Sequence, residues 1–197
     1  MLFLPYLPPN SEMGFGKLLT RAAIVIALAI TSIKAIGADV IPQGYQTIAR
    51  ETGVPAPLLY AVALTESGQS RLSQSHWRPW PWTLNISGRG QYFASRRAAW
   101  LALQNALGDE DASVDIGLMQ VNWRYHHRDL GSPWQSLDPY HNLRVGAAIL
   151  KRCHSSDVDW WKSVGCYHAP NNPVRAQHYR ERVRGSWRAL STQPGAQ

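Results

Sequence analysis

The segment most informative about this chain is PLLYAVALTES, residues 57–67, in which apolar and helix-forming residues run without a break into an acid. Steps of four residues connect Leu58, Val62 and Glu66, so the glutamate continues a stripe that should face the protein interior. Gly68 then ends the predicted helix. A carboxyl group in this position loses hydration and lies near the negative end of the helix dipole, and both effects raise its pKa.

A raised pKa suits Glu66 to acid catalysis. A carboxylic acid that stays protonated near neutral pH can donate its proton to a poor leaving group such as a glycosidic oxygen. The plainer interpretation is a glutamate at a helix end that is hydrogen-bonded for structure, because acids of this kind are often only paired. The helix alone favours the structural interpretation.

Two further segments follow in order, DIGLMQVN at residues 115–122 and VGCYHA at residues 164–169. Together with the pair Glu66-Ser67 they resemble the soluble lytic transglycosylase family. The lysozyme-like domain of that family carries a Glu-Ser pair, a Gly-Leu-Met-Gln segment and an Ala-Tyr-Asn-Ala-Gly segment in the same order. The first two segments match this sequence residue for residue.

The third segment keeps the family's tyrosine and second alanine and departs from the pattern at three positions, which hold Cys166, His168 and Pro170. Residues 142–150, with Asn-Leu, small residues and Ile-Leu, resemble the core helix of the family. The resemblance therefore extends over residues 41–179.

The resemblance implies a fold and a reaction. The fold is a lysozyme-like single domain of the α+β class, predominantly helical. In this family one glutamate protonates the leaving oxygen of the bond between N-acetylmuramic acid and N-acetylglucosamine. It then deprotonates the C6 hydroxyl, which closes a 1,6-anhydro ring without consuming water. By this resemblance Glu66 is both the acid and the base.

The resemblance also predicts the substrate-binding residues, which are Ser67, Met119, Gln120, Asn122, Tyr167 and His168. We expect Ser67 and Gln120 to position the acetamido sugar, since the amide of Gln120 offers both a donor and an acceptor. Tyr167 is expected to support Glu66 or the sugar ring. Met119 is expected to fill a gap at the border of the groove.

Two alternatives remain open. A hydrolase of the usual kind needs a second carboxylate within about 10 Å of the acid. Asp115 is the best candidate, although its position at the start of the Gly-Leu-Met-Gln segment equally suits a residue that fixes a loop. The chain could therefore be a hydrolytic muramidase that uses Asp115. It could also be a catalytically inactive peptidoglycan-binding assembly subunit, because His168 and Pro170 alter the third motif.

The two cysteines of the chain, Cys153 and Cys166, predict a disulfide, because exported proteins with an even number of cysteines commonly pair them. Two buried free thiols are the alternative. Two cysteines with scattered histidines lack the close paired spacing of a structural zinc site. We predict no metal and no cofactor.

The N-terminal residues predict export. Lys17 and Arg21 precede an apolar run at residues 22–33, and small residues follow, as in a secretory signal peptide. Cleavage is expected after Gly37 or Ala38, with a retained N-terminal anchor as the alternative. The apolar run is too short for a comfortable membrane span.

The predicted organisation has three parts: a signal peptide at 1–38, the transglycosylase domain at 39–190 and a flexible tail at 191–197. The mature protein is expected in the periplasm, without an integral membrane span. Its expected partners are peptidoglycan glycan strands. The resemblance to small members of the family implies a further partner, a conjugation, secretion or pilus assembly complex.

The net charge of +7 comes from twenty lysines and arginines against thirteen acids. Several basic residues concentrate in the predicted C-terminal helix, namely Arg175, Arg180, Arg182, Arg184 and Arg188. No nucleic-acid recognition motif accompanies them, so we predict no nucleic-acid partner. The anionic peptide stems of peptidoglycan satisfy the same electrostatics outside the cytoplasm.

Local patterns predict the remaining elements. Alternating residues Trp82, Leu84 and Ile86, followed by the turn residues Ser-Gly-Arg-Gly, predict a small β-hairpin insertion. The predicted helices are residues 43–52, 57–67, 95–107, 142–153, a helix that starts at 157 or 159 and ends at 165, and a last helix from 173. Core packing and a place in the groove are equally expected for Trp77 and Trp80, whereas Trp123 and Tyr125 are expected to be structural.

Overall fold

The structure is a computed structural model that describes residues 41–69, 77–155 and 159–191. The predicted signal peptide and Asp157 lie outside these residues, as does the predicted tail from residue 192 onward. Within the described ranges, none of the helices combines the length and the apolar character that crossing a membrane requires.

Helices make up most of the described chain. They are α1 (Gln43–Thr52), α2 (Ala56–Ser67), α3 (Arg96–Leu107), α4 (Trp123–Leu130), α5 (Pro133–Ser136), α6 (Pro139–Arg152), α7 (Trp160–His168) and α8 (Pro173–Ser191). The strands are β1 (Gly68–Gln69), β2 (Arg78–Pro79), β3 (Thr83–Ile86), β4 (Arg89–Tyr92), β5 (Val114–Ile116) and β6 (Val121–Asn122). These elements confirm the predicted class, a predominantly helical α+β domain.

Helix α2 is buried on every side. Each residue from Leu58 to Leu64 has at most 5% of its surface exposed, and the helix packs against α1, α8 and the short strands β1 and β2. A helix that is apolar all round is a core helix. The predicted stripe is therefore not a separate face. Glu66 is set apart by its place in the last turn, where the chain leaves the core.

The predicted hairpin is present as β3 and β4, which pair antiparallel. The turn contains only Ser87 and Gly88, both with positive φ, as two-residue hairpin turns require. It is shorter than the predicted four-residue turn, because residues 89 and 90 already belong to β4. The side chain of Ser95 accepts a hydrogen bond from the backbone N–H of Ala98 and caps α3, as predicted.

The hairpin belongs to a larger antiparallel sheet with strand order β4-β3-β5-β6. The register places Asn85 opposite Asp115 and Asp115 opposite Asn122, so these three residues form a row across three strands. The Gly-Leu-Met-Gln segment is the turn between β5 and β6. Sequence analysis did not predict these two strands, since two or three residues are too few for a visible alternation.

Asn142 on α6 holds this turn in place. Its side chain is fully buried, donates to the carbonyl oxygen of Ile116 over 2.9 Å and accepts from the backbone N–H of Met119 over 3.0 Å. Gly117 has φ +81°, and a Cβ there would lie 2.5 Å from Cγ of Asn142. Glycine is therefore required at this position by both conformation and space.

A disulfide connects two of the C-terminal helices. Cys153 and Cys166 form the predicted disulfide, with 5.9 Å between their Cα atoms, and join the end of α6 to α7. Helix α8 begins at Pro173 as predicted and buries Tyr179, Val183 and Leu190 against the core.

Replacing both cysteines with serine is expected to lower the free energy of unfolding by about 3 kcal/mol, because the unfolded chain regains the entropy of a closed loop. The sequence separation of 13 residues sets the size of this loop. Urea unfolding at neutral pH measures the change, and wild-type protein unfolded in reductant is the control. An unchanged midpoint in both samples would show that the bond does not form.

Candidate active site

Glu66 lies in a groove of about 1060 Å³, at the upper end of the range for ligand-binding sites. One wall is the row Asn85, Asp115 and Asn122 on the sheet, together with the start of α4. The other wall is the end of α7, the loop that follows it and the first turns of α8. Among the described residues, no three His, Cys, Asp or Glu side chains are grouped as metal ligands.

Glu66 as a whole is half-buried, and its carboxyl group has a partner on α8. The hydroxyl of Tyr179 donates a hydrogen bond of 2.5 Å to Oε1 of Glu66. This length is typical of a hydroxyl bonded to a carboxylate. Because Tyr179 is only 1% exposed, its hydroxyl is fixed and orients the acid toward the groove.

The pKa of Glu66 is raised to about 7. Burial is the largest cause, because it removes water from the charged form. The hydrogen bond from Tyr179 and the positive charge of Arg182 lower the pKa, whereas the negative charge of Asp115 raises it further. The group is therefore close to half-protonated at neutral pH and can both give and take a proton.

Asp115 is held at both of its carboxylate oxygens. The amide of Asn122 donates to Oδ1 over 2.7 Å, and the amide of Asn85 donates to Oδ2 over 3.0 Å. Burial raises the pKa of Asp115, and both amide hydrogen bonds oppose the increase. Asn122 also caps α4 through its side-chain oxygen, which accepts from Arg124 N–H. The second acid of the groove thus also fixes β5 to β6.

Gln120 lines the groove in a backbone conformation that is uncommon for any residue except glycine, with φ +45°. Its Nε2 donates to the carbonyl oxygens of Gly117 and Thr83, over 3.0 and 3.2 Å. Such backbone strain is often found at functional sites, where the surrounding structure holds it in place. The side chain is therefore rigidly positioned.

Two predicted substrate-binding residues lie behind the wall of the groove. Ser67 and Met119 have no exposed surface. The hydroxyl of Ser67 donates to the carbonyl oxygen of Leu118 over 2.8 Å. Met119 packs against Gly146, where an added Cβ would approach the methionine Cβ to 2.5 Å. Neither residue is among those that line the groove, and both contact the segments that surround it.

Tyr167 and His168 both line the groove, but neither bonds to Glu66. The hydroxyl of Tyr167 donates to the carbonyl oxygen of Met119 over 2.6 Å. Burial raises the pKa of Tyr167 well above its usual value, so this donor stays protonated. The ring of His168 is stacked on Tyr179 at 4.3 Å. The tyrosine that bonds to the acid is therefore Tyr179.

Several residues of the site were not predicted from the sequence. Tyr179 was not predicted as a site residue, although a buried tyrosine hydroxyl needs an acceptor and this rule could have pointed to Glu66. Tyr125 was predicted to be structural, yet it is 77% exposed and lines the groove. Trp77 packs over Gly68 and donates to Leu64 O, and like Trp80 it does not line the groove.

The fold and the site together define a class of protein, a lysozyme-like domain with an acid of raised pKa in a groove of saccharide size. The chain matches the family model described as "Transglycosylase SLT domain" over residues 45–189 and belongs to this family. No curated protein and no solved structure matches it. Proteins of this family are peptidoglycan lytic transglycosylases, which act on the cell-wall polymer generally outside the cytoplasm.

Tyr179→Phe removes a hydrogen bond that stabilises the ionised carboxylate, so the pKa of Glu66 should rise further from its value of about 7. A hydrogen bond to a charged group is stronger than one to a neutral group by about 1 to 1.5 kcal/mol, which corresponds to an increase of about one pKa unit. Carbon-13 NMR of labelled glutamate measures the titration. Tyr167→Phe is the matched control, because its hydroxyl bonds to Met119. An unchanged titration of Glu66 in Tyr179→Phe would contradict the role of this bond.

Proposed function

We propose that this protein is a lytic transglycosylase that cleaves the β-1,4 bond between N-acetylmuramic acid and N-acetylglucosamine and leaves 1,6-anhydro ends. The main support is Glu66, an acid with a pKa of about 7 in a groove of saccharide size. The match to the transglycosylase family supports the same reaction class.

The reaction takes two proton transfers at one carboxyl group. Protonated Glu66 gives its proton to the glycosidic oxygen, the bond from this oxygen to C1 of the muramic acid breaks, and the N-acetyl group stabilises the positive charge at C1. Ionised Glu66 then takes the proton of the C6 hydroxyl. The oxygen of this hydroxyl bonds to C1 at the same time and closes the 1,6-anhydro ring. Glu66 ends protonated as it began, and no water enters the product.

One group can perform both steps because its two protonation states have similar free energies near pH 7. Burial favours the neutral acid that the first step needs. The hydrogen bond from Tyr179 and the charge of Arg182 favour the carboxylate that the second step needs. Tyr179 donates to the oxygen in either state and thus keeps the group oriented through the whole reaction.

Gln120 is proposed to position the acetamido group. Its Nε2 donates to two carbonyl oxygens of the protein, so its Oε1 is the atom available to accept from the N–H of an acetamido sugar. His168, which is exposed at the edge of the groove, is proposed as a further substrate contact. Ser67, Met119 and Tyr167 are proposed to act through the turn that carries Gln120.

A hydrolytic muramidase is the second candidate, because Asp115 lines the same groove as Glu66. A hydrolase of this kind would use Asp115 to activate water or to attack the sugar. Both oxygens of Asp115 accept amide hydrogen bonds within the sheet, from Asn85 and Asn122. These bonds fix Asp115 in the sheet, and the match to the transglycosylase family favours the cyclising reaction.

Digestion of purified peptidoglycan, followed by mass spectrometry of the sugar ends, tests the proposal. Anhydro ends are expected, with no incorporation of oxygen-18 from labelled water. Glu66→Gln should abolish the products, because an amide cannot donate the proton, while the thermal transition is largely unchanged. Reducing ends would support the muramidase instead, and an intact glycan would support the inactive wall-binding subunit.

The pH dependence of kcat/KM follows from the first step. Because protonated Glu66 is the reactive form of the free enzyme, kcat/KM should fall as the pH rises through about 7. In Tyr179→Phe the descending limb should move to higher pH together with the pKa of Glu66. Tyr167→Phe is again the control. If the descending limb of Tyr179→Phe stays at the wild-type pH, this limb does not report the titration of Glu66.

We also propose that the signal at residues 1–38 directs the protein to the periplasm, where it opens the wall locally for a conjugation, secretion or pilus machine. The disulfide between Cys153 and Cys166 is consistent with an oxidising compartment. N-terminal sequencing of the exported protein tests the cleavage after Gly37 or Ala38.

A further inference from the structure

A second, smaller cavity of about 260 Å³ adjoins the active-site groove. We call it the annex. It is lined by His168, Val174, Arg175, His178, Tyr179 and Arg182. Three of these residues, His168, Arg175 and Arg182, also line the groove. A ligand in the groove could therefore extend a substituent into the annex.

The annex is basic on one face. Arg175, His178 and Arg182 follow one another on α8 at intervals of three and four residues, so they lie on the same side of the helix. None of them takes part in the ion pairs found among the described residues. Arg182 donates to the carbonyl oxygen of Thr65, next to the acid. The nearest acid along the helix, Glu181, does not line the annex and accepts from Gln177.

The positive charge reaches the shared edge of the two cavities. Burial lowers the pKa of His168, and the charges of Arg175 and Arg182 lower it further. Two cationic groups therefore act on the same point. No carboxylate is among the residues that line the annex, and Glu66, which the charge of Arg182 also reaches, lines the neighbouring groove. A site of this kind favours an anionic ligand group and fits the planar, two-oxygen geometry that guanidinium groups bind.

We propose that the annex binds a carboxylate of the peptide stem that is attached to the muramic acid. This inference rests on the proposed function. The stem is bonded to the lactyl group of the sugar at which the glycosidic bond breaks, so its carboxylates lie within reach of the acid. The sugar backbone of a fully substituted strand carries no charge, and the stem is the part of the substrate that can occupy a basic cavity. The annex thus selects stem-bearing strands.

Matched substrates test this site. They are tetrasaccharides of peptidoglycan with identical stems, in which the stem carboxylates are either free or converted to carboxamides of almost the same shape. Wild-type protein should show a KM for the carboxylate form about three- to fivefold lower, as expected for an exposed charge pair. This preference should shrink at 0.5 M salt, where screening acts over a few ångströms.

Arg175→Gln should reduce the preference to near unity by raising KM for the carboxylate form. Arg175→Lys should retain part of it, because the charge remains. Arg188→Gln is the matched control, since Arg188 is an exposed arginine of the same helix that lines neither cavity. No preference in wild-type protein, or an equal rise in KM for both substrates in Arg175→Gln, would overturn the proposal.

Binding measurements separate this inference from the proposed function. Glu66→Gln protein, titrated calorimetrically with both tetrasaccharides, reports the preference without any turnover. If wild-type protein forms no anhydro ends but Glu66→Gln binds the carboxylate form more tightly, the proposed reaction fails and the annex stands. If the ends form and binding is equal for both substrates, the reaction stands and the annex fails.

Discussion

The hydrogen bond between Tyr179 and Glu66 joins two residues that are 113 positions apart and connects the last helix to the end of the central one. Helix α2 is enclosed by the core up to Leu64, so its last turn is the first point at which a polar side chain can reach a cavity. A carboxyl group placed there loses most of its hydration. Tyr179 compensates for part of that loss and fixes the direction of the acid, which makes the groove beside it a site with defined chemistry.

The three sequence motifs converge on a single turn. Ser67 donates to the carbonyl oxygen of Leu118, Tyr167 donates to that of Met119, and Asn142 accepts from Met119 N–H. The residues next to the acid and in the third motif thus hold the segment that carries Gln120. Their joint presence in the sequence is informative because all three side chains bond to this one turn. The uncommon backbone conformation of Gln120 is maintained by this network.

Sequence alone predicted the parts of the fold that depend on local rules. Helix α1 has its predicted bounds, the cap at Ser95 is present, and the cysteines pair. The site was less predictable because it depends on how distant elements are aligned. The row across Asn85 and Asp115 requires the register of very short strands. The partner of Glu66 depends on the rotation of α8, which periodicity describes only as a buried face. For the same reason the sequence led us to expect that Tyr167 supports Glu66 or the sugar ring, but its hydrogen bond to Met119 could not be predicted.

The raised pKa of Glu66 also has a consequence for stability. The folded protein holds this proton up to about pH 7, whereas the unfolded chain releases it near the usual value of 4.5. Between these values the unfolded state binds fewer protons, so the free energy of unfolding decreases as the pH rises and levels off above about 7. Glu66 therefore lowers the free energy of unfolding most at about pH 7 and above, where at least half of it is ionised. The buried apolar part of α2, from Leu58 to Leu64, and the disulfide between α6 and α7 contribute stability that offsets this cost.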